Sequence, residues 1–389
     1  MDDRTLVIAN GRVCTPFETL DKGMVVVREG RIAFVAPFNR RRLPEGAKVI
    51  DASGKIVLPG FVDVHVHGAR GYDVMDGTYD AIDRISRFLA RTGVTAFLPT
   101  TVSAPQERML ASARAVREST ERGVGGARPL GLHMEGPYIN PERRGAQNVE
   151  HIRPPSIEEV QEVLRACGDR LRMVTLAPEM SGAMALIGFL KERGIIPSMG
   201  HTNATFREAM AGFQKGVRHA AHVFNAMRGF HHREPGALGA ILIRDDVTVE
   251  LIADWVHVHP VSIRLLLRLK GSDRVVLITD SIRAAGMPDG TYELGGLEVI
   301  VRDGICRLKT GSLAGSTLTL NKAVGNVTKR LGLPLSESVK MATVNPARLL
   351  EIDDRKGSLE PGKDADIVVA DRDMNISMTI VQGRIAFSS

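Results

Sequence analysis

The spacing of hydrophobic residues changes character twice along this chain. Up to residue 57 apolar positions fall into short runs rich in β-branched residues, at 5–9, 23–28, 31–35 and 47–50. The dipeptides Asn10-Gly11 and Glu29-Gly30 between them have the composition of tight hairpin turns. The far end returns to that character at 366–370 and 378–387, with Gln382-Gly383 as a turn, so both termini are expected to share one small β-domain. Between them, strand-like and helix-like periods alternate at intervals of roughly 20 to 35 residues, the mark of repeated βα units. Strands are expected at 61–67, 96–99, 131–135, 173–177, 197–200, 220–224, 248–253 and 275–279. Amphipathic helices are expected among them, at 81–92, 106–121, 157–166, 184–193 and 205–215. Eight such units close into a (β/α)8 barrel more naturally than into an open sheet. The division expected is therefore 1–57 with 346–389 for the β-domain and 58–345 for the barrel.

Length and composition agree with that picture. A barrel of about 250 residues plus one smaller unit accounts for 389 residues, and 43% hydrophobic with 25% charged residues describes an ordinary globular protein. The N-terminus has no basic region followed by an apolar stretch and reads as non-secretory; no run approaches the roughly 18 apolar residues of a membrane span. Cys14, Cys167 and Cys306 are far apart and odd in number, which fits free, buried thiols in a reducing cytoplasm. The net charge of +6 suits an anionic ligand, yet the basic residues are dispersed, so neither nucleic acid nor membrane is expected as a partner. Arg40-Arg41-Arg42 reads as a solvated turn.

Chemistry first shows in Phe61-Val-Asp-Val-His-Val-His-Gly68. A strand has a period of two, so His65 and His67 share one face, at the end of the first barrel strand where barrel active sites are built. Such a pair can grip a divalent metal. Residues of ligand type recur at other strand ends: Glu135 in His-Met-Glu-Gly-Pro, His201 in Met-Gly-His-Thr-Asn, His222 in Ala-His-Val-Phe-Asn and Asp280 in Ile-Thr-Asp-Ser. Taken alone, Asp280 would cap a helix and Glu135 would sit in a turn, but Glu135 closes an apolar strand where an unpaired carboxylate is costly. His133, two residues earlier on the same face, reads as a core group or as support for a ligand; His151, His219, His231, His232 and His259 carry no comparable signal.

With these motifs in place, the whole chain resembles the N-acetylglucosamine-6-phosphate deacetylases of the amidohydrolase superfamily. That resemblance implies a β-sandwich from both termini beside the barrel, a homodimer, and Glu135, His201 and His222 as primary metal ligands. It leaves one or two ions open, since members with a histidine pair like His65 and His67 can hold a second metal bridged by a carboxylate such as Glu135. Zn or Fe is expected first, with Mn and Co also suited. Asp280 matches the residue that takes a proton from the attacking water and passes it to the leaving amine. Asn225 and Ala226 match positions that contact the phosphorylated sugar, Arg233 and His257 those that hold its phosphate, Arg233 from across the dimer interface on a mobile loop at 228–236. The segment 311–318 resembles a wall of the sugar pocket. One departure is Gln147, which stands where several members have a histidine that polarises the acetyl carbonyl; it could orient the carbonyl but cannot donate from a charged ring.

The activity this implies is release of acetate from N-acetylglucosamine 6-phosphate. N-acetylgalactosamine 6-phosphate or another N-acyl substrate on the same fold is the alternative, and a non-catalytic binding barrel is disfavoured because all six expected residues are present.

Overall fold

The computed structural model describes residues 5–389; the non-secretory reading of the N-terminus rests partly on residues 1–4, outside that range. The barrel strands are β1 (Phe61–Val66), β2 (Val94–Thr101), β3 (Leu132–Glu135), β4 (Leu171–Leu176), β5 (Ile196–Met199), β6 (His219–Ala220), β7 (Thr248–Ile252) and β8 (Val275–Ile278). Each pairs in parallel with the next. The ring closes through a parallel bridge between Val66 and Ser281, where the His67 N–H donates to the Ser281 carbonyl at 2.9 Å. Every residue of β1, β2 and β8 is buried, as parallel strands covered on both faces require.

Helices α1 (Tyr79–Arg91), α2 (Gln106–Arg122), α3 (Ile157–Ala166), α4 (Ala183–Glu192), α5 (Phe206–Lys215), α6 (Gly236–Ile243) and α7 (Pro260–Lys270) lie between strands, and α8 (Leu320–Leu331), α9 (Leu335–Ala342) and α10 (Val344–Leu349) follow β8. Local sequence starts them: Thr78 caps α1, Ser156 caps α3, and Thr205 with Glu208 forms a reciprocal capping box on α5.

The terminal strands form one small β-domain. Its sheet runs Arg384–Ser388, Ile376–Val381, Ile367–Ala370, Ile56–Pro59, Leu6–Cys14, Thr19–Arg28, Arg31–Pro37, with Lys48–Asp51 paired to the first half of Leu6–Cys14. Two expected turns, Glu29-Gly30 and Gln382-Gly383, have both residues at positive φ, the geometry that suits the twist of a two-residue hairpin. They also meet: a Cβ on Gly383 would come 2.7 Å from the Gly30 Cα, and the Ala365 N–H donates to the Gly30 carbonyl at 2.8 Å. The sheet therefore folds back on itself around a shared core that includes Ile8, Val25, Val57, Ile367 and Ile380.

Three expectations need correction. Asn10-Gly11 is not a hairpin but a bulge inside Leu6–Cys14, with Asn10 at φ 65 and a register shift on either side of Gly11. The strand expected at 220–224 stops at Ala220, because His222 (φ 26) and Phe224 (φ 78) take left-handed conformations that no strand can continue through. A three-stranded antiparallel sheet, Gly290–Leu294, Leu297–Arg302 and Ile305–Leu308, follows β8 where no strands were expected. Arg40 and Arg41 are exposed in a short 3-10 turn, and all three cysteines are free and buried. Among the described residues no helix is long and apolar enough to cross a membrane.

Candidate metal centre and active site

Six side chains converge at the C-terminal mouth of the barrel. Glu135 Oε1 lies 3.1 Å from His201 Nε2, 2.9 Å from His222 Nε2 and 3.4 Å from His65 Nε2. Its Oε2 is 3.5 Å from His67 Nε2, which is 3.2 Å from Asp280 Oδ1. Two triads with ligand atoms all within 4.8 Å result, Glu135 with His201 and His222, and His65 with His67 and Asp280. The backbone helps to aim them: His201 (φ 46), His222 (φ 26) and Asp280 (φ 50) each occupy left-handed conformations just past a strand end. For residues other than glycine that costs of order 1–3 kcal/mol each and concentrates at functional sites.

The donor set fits a cation. His65 Nδ1 lies 2.9 Å from Glu250 Oε2, His67 Nδ1 3.1 Å from the Thr100 carbonyl, and His201 Nδ1 3.0 Å from the Arg143 carbonyl. Each of those partners only accepts, so the ring proton sits on Nδ1 and leaves a bare lone pair on Nε2. These lone pairs face carboxylate oxygens and each other, with His65 and His67 Nε2 3.2 Å apart and His201 and His222 Nε2 3.1 Å apart. Neutral rings arranged so repel, and a shared divalent ion converts the repulsion into coordination. Before an ion binds, these rings meet the carboxylates with protons instead: burial alone would raise the carboxyl of Glu135, but the charge of His65 and His201 and hydrogen bonds from His201 and His222 hold it well below the usual range, and an arriving ion takes the place of those protons. In the same ion-free state burial acts to raise Asp280, while the hydrogen bond from His67 and the nearby His65 lower it below its usual range.

Beneath the mouth lies a residue the sequence reading passed over. Glu250, on β7, is fully buried and meets His65 Nδ1 and the His222 N–H through Oε2, and His219 Nε2 at 3.1 Å through Oε1. His219, given no role from sequence, thus belongs to the support of the site. A charged residue at an inward position of an otherwise apolar strand was the available signal. His133 is held by the Val64 carbonyl at 3.0 Å and Thr175 Oγ1 at 2.8 Å; burial, then the nearby His65, push its pKa down to about 3. It is a neutral core group. His231 and His232 are exposed, and His259 caps α7.

A cavity of about 230 Å3 opens above the cluster. Asn225, Ala226, His257 and Gln147 all line it, as do Ser312, Leu313 and Gly315 of the segment 311–318. Leu294 of the unexpected three-stranded sheet forms part of its rim. His257 is fixed through Nδ1, 2.6 Å from Asp254 Oδ2. Gln147 is nearly committed: its Oε1 accepts from the Ser103 N–H at 2.6 Å and its Nε2 donates to Glu135 Oε2 at 2.6 Å, which leaves one amide proton for a ligand. Arg233 is the expected residue that the fold does not bring to this cavity; it is exposed on the loop before α6, beside His232.

A (β/α)8 barrel with histidines and carboxylates gathered at its C-terminal mouth defines a metal-dependent hydrolase of the amidohydrolase type. The comparisons agree: residues 56–386 match the amidohydrolase family, and the chain belongs to that family, among its amino-sugar-phosphate deacetylases. It is 38% identical to the N-acetylglucosamine-6-phosphate deacetylase of Bacillus subtilis strain 168, over 99% of this chain and 98% of the relative. It is also 38% identical to the N-acetylgalactosamine-6-phosphate deacetylase of Escherichia coli O157:H7, over 98% and 99%. The solved Mycobacterium smegmatis N-acetylglucosamine-6-phosphate deacetylase, an aspartate-to-alanine mutant in complex with N-acetylglucosamine 6-phosphate, superposes with a TM-score of 0.93 at 33% identity, covering 99% of this chain and 100% of that one.

Proposed function

We propose that this protein hydrolyses the acetamide of N-acetylglucosamine 6-phosphate to glucosamine 6-phosphate and acetate. The observation that carries the reading is the meeting of Glu135, His201, His222, His65, His67 and Asp280 at one cavity, with three Nε2 lone pairs bared by hydrogen bonds on the opposite ring nitrogen. Glu135, His201 and His222 would hold one divalent ion and His65 and His67 a second, with Glu135 facing both. Zn or Fe suits this set best, and Mn and Co suit it too. Bound there, such an ion lowers the pKa of a water to about 7 and polarises an acyl oxygen. Asp280, beside His65 and His67, takes the proton from the attacking water and returns it to the departing nitrogen, which otherwise leaves poorly. Asn225 and Ala226 position the sugar, Gln147 steadies Glu135 and turns its remaining amide proton to the acetyl oxygen, and His257 meets the phosphate.

Arg233 completes the phosphate site from a second copy of the chain. Supporting this, Val261, Leu265 and Leu269 form an exposed stripe at 65%, 50% and 47% along α7, packed beside α6, whose end leaves Ile243 exposed. Phe230, 63% exposed, adds to the apolar surface on the Arg233 loop. An exposed apolar face on the helix packed beside α6, which follows the Arg233 loop, is suited to a twofold interface. Free buried cysteines accord with a cytoplasmic enzyme. For the chain's division we propose a β-domain from 1–57 and from the strand Ile367–Ala370 onward around the barrel, with the second junction moved from the expected 345/346, which falls inside α10 (Val344–Leu349), to the segment between α10 and Ile367.

Acetate release from N-acetylglucosamine 6-phosphate, measured with Zn, Fe, Mn or Co, tests the reading; turnover with none of them overturns it. The E. coli relative makes N-acetylgalactosamine 6-phosphate the second substrate to assay. Arg233→Ala should raise KM strongly for the phosphorylated sugar and little for its unphosphorylated counterpart.

A further inference from the structure

Glu250 has no contact with the cavity, yet it touches both halves of the proposed metal centre. Its Oε2 accepts from His65 Nδ1–H at 2.9 Å and from the His222 backbone N–H at 3.0 Å. Its Oε1 accepts from His219 Nε2–H at 3.1 Å, and His219 Nδ1 is in turn engaged by Thr248 Oγ1 at 2.7 Å. Neither carboxylate oxygen is left without a partner, and the side chain is fully buried. Burying an ionised carboxylate costs several kcal/mol unless it is paired and hydrogen-bonded, so its presence calls for a return.

That return is at His65. The ring lies against His67, His133 and His222, with centroids 5.0, 4.7 and 5.6 Å away, and its Nε2 faces Glu135 and Asp280. Without an anion on Nδ1 the ring proton could sit on either nitrogen, and half of those states would point a proton, not a lone pair, at the centre. Glu250 selects the useful state and makes Nε2 a better donor, as carboxylates behind metal-binding imidazoles do. Through the same oxygen it ties the backbone at His222, at φ 26, to the strand that carries His65.

We propose that Glu250 is a positioning residue for the metal centre, holding His65 as a ligand of a second ion and coupling that half of the site to the half containing His222. The inference rests on the metal-dependent reading above. Glu250→Gln isolates the charge: an amide oxygen can still accept from His65 and His222, and its NH2 can donate to His219 Nε2 if His219 shifts its proton to Nδ1, facing Thr248. The fold is then retained and only the negative charge behind His65 is lost.

The experiment is metal titration of the chelator-treated full chain, with metal content by elemental analysis and the Co(II) visible spectrum as a coordination signature. Wild type should bind two ions. E250Q should lose affinity for one of them by roughly 10- to 100-fold, the range seen when the partner of a metal-binding imidazole is removed, with the metal-free melting temperature little changed. In a His65→Asn background the same substitution should have no further effect, since Glu250 acts through that ring. Should E250Q fail to accumulate, His219→Gln loosens the other end of the carboxylate and should weaken the same ion several-fold. Unchanged affinity in these variants, or an E250Q effect that persists undiminished beside His65→Asn, overturns the proposal alone; a wild-type chain that takes up no ion overturns the metal-dependent reading and this inference with it.

Discussion

Buried charge is settled differently at the barrel mouth and beside the terminal β-domain. Next to that domain, Lys356 Nζ lies 2.6 Å from Asp366 and 2.9 Å from Asp364, and all three side chains are at most 7% exposed. Burial would lower the lysine, but the two carboxylates hold it above its usual range; burial would raise Asp364, and Lys356 holds it below. The cluster carries its own cation. At the mouth, Glu135 and Asp280 are also buried, Asp280 slightly less so, yet among the described residues no lysine or arginine pairs with either, and the neighbours are imidazoles whose lone pairs can face an ion. A protein that completes its ion pairs uses lysine; one that leaves the pairing to an ion from solution builds a site that can do chemistry.

The contrast can be broken at either end. Asp280→Asn should lower kcat by about 100- to 10,000-fold, the range for loss of a general base, while the melting temperature stays near that of wild type; steady-state kinetics beside calorimetry would show a shared loss if the residue were merely structural. Lys356→Met should do the reverse. It leaves two buried carboxylates without a cation and should cost about 3–5 kcal/mol in denaturant unfolding, with activity per folded molecule retained.

That loss should depend on pH in a stated direction. Asp364 has a folded pKa below its unfolded value, so its contribution is present above about pH 4 and disappears as pH falls through the folded value. Lys356, raised when folded, stabilises below about pH 10 and loses its share as pH climbs through the folded value. The gap between wild type and Lys356→Met should therefore be widest near neutrality and narrow in acid; a gap that widens in acid contradicts the pairing. At the small end, Arg218→Gln removes an exposed ion pair with Glu351, whose side chains are 43% and 67% exposed, and should change stability by less than about 1 kcal/mol.

Much of the mouth was legible because strand geometry is periodic. His65 and His67 had to share a face, and the eight strand ends brought Glu135, His201, His222 and Asp280 to the same rim. The left-handed backbone at three of those residues was not legible, since no glycine marks it. Glu250 was hidden in an ordinary strand pattern; its role depends on which strands become neighbours. The sheet at 290–308 was missed although its hairpin dipeptides, Gly295-Gly296 and Asp303-Gly304, sit between alternating residues with both positions at positive φ. Arg233 illustrates a different limit: the fold of one chain leaves it exposed and away from the cavity, so the role proposed for it in a second copy depends on an assembly that one chain does not display.

The central claim is that the mouth needs an ion to be complete. Calorimetric titration of the chelator-treated protein with Zn, followed by acetate release on the same sample, tests it most directly. The account predicts two ions bound per chain and activity that returns as they load, with that activity lost in Glu135→Gln. Full turnover of N-acetylglucosamine 6-phosphate by protein shown to hold no metal would contradict it.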